Sequence, residues 1–90
     1  MHRFAKRCFL CGGRANAELS DDPKEIGLIV HCADCGTYGI AVSGDISRED
    51  RQHLAAYVRR ETEHRRVMPV IRKDNWELLV RLGELLSARL

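Results

Sequence analysis

Cys8-Phe9-Leu10-Cys11-Gly12-Gly13 and Cys32-Ala33-Asp34-Cys35-Gly36 repeat one pattern, a Cys-x2-Cys pair followed by glycine, with twenty residues between the two pairs. Two residues between cysteines let a tight turn aim both sulfurs at one point. Two such turns side by side make a closed tetrahedral shell of four thiolates, the arrangement a structural zinc ion prefers. Glycine after each pair suits a backbone that turns sharply past the metal, and amides in the turn can donate to the thiolates. Cys8, Cys11, Cys32 and Cys35 are therefore the expected ligands of one structural zinc. Iron accepts the same shell, and two dithiols or two disulfides could use the same four residues. With four cysteines in register, His31 reads as an ordinary polar residue at a strand end.

The rest of the composition fits a small domain that needs such a staple. Ninety residues of 10.3 kDa make one domain. A chain this short buries only ~60–65% of the surface it exposes when unfolded, and five aromatic residues offer little core. A multi-domain enzyme, a disordered tail and a collagenous chain are all excluded. The basic start Met1 to Cys8 has no apolar run behind it, so no export signal is expected. The longest apolar run, Leu54-Ala55-Ala56-Tyr57-Val58, is far short of the ~20 residues of a bilayer span. A reducing cytoplasm is the expected compartment, where structural disulfides are rare.

Outward from the cysteines, Arg14–Leu19 alternates like a short strand, Ser20 to Glu25 reads as a turn around Pro23, and Ile26–His31 reads as a second strand. Tyr38–Ser43 reads as a third, closed by Gly44-Asp45. The expected fold is a small α+β domain: a three-stranded zinc ribbon over 6–45, then two α-helices at 47–66 and 74–89. The link between the helices, 67–73, reads as extended because Pro69 disfavours helix before it. Ser47-Arg48-Glu49-Asp50 and Asp74-Asn75-Trp76-Glu77 both resemble capping boxes.

The last helix is apolar over an arc of about 220°. The ribbon, the link and the first helix can wrap that face. Alternatively Trp76, Leu78, Leu82 and Leu85 form an interface to a second copy or another protein.

Charge is uneven although fifteen Lys+Arg against thirteen Asp+Glu leave only +2. Four thiolates and a zinc ion bring the loaded protein near neutrality. Arg3, Arg7 and Arg14 gather at the first cysteine turn; Arg59, Arg60, Arg65 and Arg66 gather late in the first helix. Both groups are candidate nucleic-acid contacts, with Phe9 as a candidate stacking residue. The second group also suits a solvated face or the helix dipole. No acid–base or nucleophile set has useful spacing, so no catalytic residue and no small-molecule substrate are expected.

The stretch Cys32 to Ile40 resembles that of small or N-terminal zinc-ribbon domains of bacteria and phages. The residues that carry the resemblance are Cys8, Cys11, Gly12, Cys32, Cys35, Gly36, Tyr38, Ile40, Leu54, Arg59, Pro69 and Ile71, within 6–72. It implies a metal-holding module and no specific activity. The reading as a whole is a zinc-stabilised, non-enzymatic protein that docks onto a larger protein assembly as adaptor, regulator or inhibitor. The alternative is a small nucleic-acid-binding regulator.

Overall fold

A computed structural model describes residues 3–21, 27–41, 46–64 and 68–87. Elements run β1 (Phe4–Arg7), β2 (Arg14–Leu19), β3 (Leu28–Cys32), β4 (Gly36–Ala41), α1 (Arg48–His64), β5 (Val70–Arg72) and α2 (Trp76–Ser87). The five strands form one sheet in the order β1-β2-β3-β4-β5, antiparallel except for the parallel pair β4–β5. This corrects the expected three-stranded ribbon: the architecture is a five-stranded mixed sheet with two helices.

Each added strand has a local cause. The turn at the first cysteine pair folds Phe4–Arg7 back on Arg14–Ala17, held by the Cys8 amide donating to Gly13 and the Gly12 amide donating to Cys8. The segment after Pro69 becomes a strand because α1 supplies the long crossover that a parallel neighbour requires. Pro69 suits the strand entrance: its carbonyl accepts from the Gly39 amide at 2.9 Å, and no amide is needed there.

The outer edge of β5 is closed by a side chain. Asn75 donates from Nδ2 to the Val70 carbonyl (2.9 Å) and accepts at Oδ1 from the Arg72 amide (2.7 Å). Asn75 thus stands in for a sixth strand, and its amide is taken up by the sheet rather than by the helix start. Ser47 behaves as a cap, its Oγ accepting from the Asp50 amide at 3.1 Å.

The core lies between one sheet face and the helices. Ala17, Val30, Tyr38, Ile40 and Ile71 point inward from successive strands and meet Leu54 and Val58 of α1 and Leu79 of α2. The other sheet face carries Arg7, Arg14, Asn16 and His31. Parts of the expected second and third strands, at Ile26 and Ser43, and most of the turn around Pro23, fall outside the described residues. Among the described residues, no helix is long and apolar enough to cross a membrane.

Candidate metal centre

Four sulfurs meet where the two cysteine turns face each other. Cys8 and Cys11 leave the end of β1; Cys32 ends β3 and Cys35 leads into β4. Their Sγ atoms all lie within 4.8 Å of one another, with Cys8–Cys35 at 3.9 Å and Cys11–Cys32 at 3.5 Å. A metal–sulfur bond of ~2.3 Å at tetrahedral angles spaces sulfurs by ~3.8 Å, so the four positions fit one ion. They do not fit disulfides, whose sulfurs sit ~2.05 Å apart; all four cysteines are free.

The turns supply the second layer of contacts. Backbone amides of Leu10, Gly13 and Cys35 donate to the sulfurs of Cys8, Cys11 and Cys32 at 3.4, 3.4 and 3.5 Å. Such donors offset thiolate charge and fix sulfur direction. Gly12 and Gly36 take φ of 75° and 107°, the left-handed region that disfavours side chains. Gly36 is required twice over, since a Cβ there would overlap the Thr62 side chain of α1. Arg59 anchors the same turn by donating from Nε to the Asp34 carbonyl at 3.2 Å.

Tyr38 completes the shell from beneath. Its ring is fully buried, its hydroxyl accepts from the Phe9 amide at 3.1 Å, and the same oxygen lies 3.2 Å from Cys8 Sγ. Burial, then the contact with Cys8, pushes the Tyr38 hydroxyl well above its ordinary range, so it keeps its proton and donates it to sulfur. The Cys35 contact, opposed by burial and helped by Tyr38, pulls the Cys8 thiol down to about 4. The same contact with Cys8, then burial, drives Cys35 far upward; burial raises Cys32. The arrangement therefore favours Cys8 over Cys35 as the thiolate of the pair.

Other sequence candidates separate. Cys11 is the one exposed member of the cluster. Leu78, Leu82 and Leu85 lie along α2 with 60, 38 and 64% of their surface exposed, whereas Trp76 packs against the core. Arg3 is paired with Glu18 at 3.1 Å, a contact that holds the Glu18 carboxyl below its usual range. Arg7 donates to the Gly12 carbonyl at 3.4 Å. Arg14 and Arg60 are exposed; Arg65 and Arg66 lie outside the described residues. His31 sits on β3 with Nδ1 3.2 Å from Thr37 Oγ1, away from the sulfur cluster. Sequence reasoning passed over Arg48 and Arg51, which share a helical face with Arg59 beside the first cysteine turn. Their spacing of three, then eight, carried that signal.

Comparison with protein families, with curated proteins and with solved structures returns no match for this chain. The centre is thus defined by its own geometry: four cysteines in a metal-binding arrangement.

Proposed function

We infer that the chain is a zinc-stabilised, non-enzymatic binding module that docks onto a larger protein through α2. Zinc is favoured because all four ligand positions are cysteine sulfurs, the shell is closed, and the turns deliver amide donors to sulfur. A closed shell leaves no coordination position for water or substrate, which supports a structural role.

The observation that carries docking is the leucine stripe. Leu78, Leu82 and Leu85 occupy i, i+4 and i+7, the anchor spacing of a helix laid into an apolar groove. The opposite side of α2 is already committed: Leu79 is buried and Gly83 packs on the His53 carbonyl of α1. Three partly covered leucines fall well short of the ~800 Å² per partner of a stable interface. The stripe therefore suits insertion into a concave apolar site on a larger protein better than pairing with a second α2. Glu77, Arg81 and Glu84 line the helix beside it and would form a polar rim.

The test is affinity capture with wild-type protein and with Leu78→Glu/Leu85→Glu, followed by reconstitution with the purified partner. Loss of a direct complex in a variant that keeps its metal supports the reading. A monomer that binds the same purified partner equally well with both glutamates present overturns it.

A further inference from the structure

We propose that the first cysteine turn separates two basic grooves that together form a track for single-stranded nucleic acid. On one side, a groove of about 860 Å³ runs over the sheet face away from the helices, with Arg7 and Arg14 at its wall and Gly12 and Gly13 at its end. On the other, a groove of about 600 Å³ lies between Phe9–Gly12 and α1, walled by Arg48, Arg51 and Arg59. Gly12 lines both. Lys6, on the opposite sheet face from Arg7 and Arg14, carries its amine over the Phe9 ring beside the second groove. Six bases face the two grooves, and none of the described lining residues is acidic.

That concentration is out of proportion to a net charge of +2. It also exceeds what the metal centre needs, since four thiolates around a divalent ion leave two negative charges. The fold bears costs to keep it. Arg7 and Arg14 stand directly opposite each other on paired strands, where like charges repel. Among the described residues, Arg51 Nε is buried with no hydrogen-bond partner, a donor whose desolvation is uncompensated. Phosphate oxygens carry the charge that would relieve the repulsion between the exposed Arg7 and Arg14.

The arrangement favours a polymer over a compact anion, because the bases are split between two grooves joined at one turn. It favours a single strand over a duplex, because the turn between the grooves carries an aromatic ring. Phe9 is half-buried with Lys6 Nζ 4.8 Å from its centroid, a combination that serves base stacking beside a phosphate-binding cation. This site uses β1, β2 and one face of α1 from Arg48 to Arg59, and is independent of the leucine stripe on α2.

The experiment is fluorescence anisotropy of metal-loaded protein with a mixed-sequence single-stranded oligonucleotide, with the matching duplex as competitor. Six neutralised phosphates predict binding roughly 300-fold weaker at 200 mM than at 50 mM salt. Arg14→Ala/Arg48→Ala, which removes one exposed base from each groove, should weaken binding at least tenfold and lower the salt slope by about 1.4. Arg60→Ala, outside both grooves, should leave affinity unchanged. Absence of salt-sensitive binding overturns the proposal. So does equal loss in Arg60→Ala and the groove variant, or tighter binding of the duplex.

Discussion

The Tyr38 hydroxyl lies 3.2 Å from the Cys8 sulfur and accepts the Phe9 amide at 3.1 Å, so one buried side chain ties the sheet core to the first cysteine turn. Tyr38→Phe keeps the packing and removes both hydrogen bonds. Losses of this kind around metal ligands typically cost 10–100-fold in metal affinity. Chelator competition should show a drop in that range with the fold intact; unchanged affinity would mean the hydroxyl does not support the sulfur.

The protonation pattern of the metal-free site sets a second expectation. Cys8 is the favoured thiolate, its thiol pulled down to about 4, while Cys32 and Cys35 are raised and hold their protons at neutral pH. Metal binding requires thiolates, so loading must expel protons from Cys32 and Cys35 but none from Cys8. Affinity should rise with pH through neutrality and fall as the solution is acidified. Calorimetry in buffers of different ionisation enthalpy should find fewer than four protons released per metal at pH 7. Release of all four would contradict a preformed Cys8 thiolate.

Asn75 offers a test of the sheet edge. Asn75→Ala leaves the Val70 carbonyl and the Arg72 amide without their partner, at a cost of about 1–3 kcal/mol. Asn75→Asp keeps the acceptor for Arg72 but sets a carboxylate oxygen against the Val70 carbonyl, so in chemical denaturation it should also be less stable than wild type. Equal stability of all three proteins would show that the side chain does not close the edge.

Gly83 governs how closely the helices cross. A Cβ at this position would overlap the His53 carbonyl oxygen of α1, and backbone cannot step aside as a flexible side chain can. Gly83→Ala should destabilise by about 1–3 kcal/mol, the usual cost of overpacking, despite alanine's better helix propensity. A rise in the denaturation midpoint would refute that crossing.

The metal site was the most legible part of the sequence, because its information is local: two residues between cysteines and a glycine after them. Strand β2 was legible for the same reason, from alternation in Arg14–Leu19. The outer strands were not. Phe4–Arg7 is largely exposed and pairs because the cysteine turn folds it back, so its own side chains carry no pattern. Val70–Arg72 is three residues long and is a strand only because α1 delivers it beside β4. Asn75 looked like part of a helix cap, since Asx residues serve both roles and only the tertiary fold chooses between them. Arg51 reads as one more surface charge until the helix is placed and its Nε is found buried.

The central claim is that four thiolates hold one structural metal ion. Its most direct test is metal content by mass spectrometry on protein purified without added metal, for wild type and Cys35→Ser, each paired with a thermal melt before and after chelation. Wild-type protein should carry one zinc ion per chain, Cys35→Ser little metal, and chelation should abolish the cooperative transition. A folded wild-type protein without metal, or an unchanged melt after its complete removal, would contradict it.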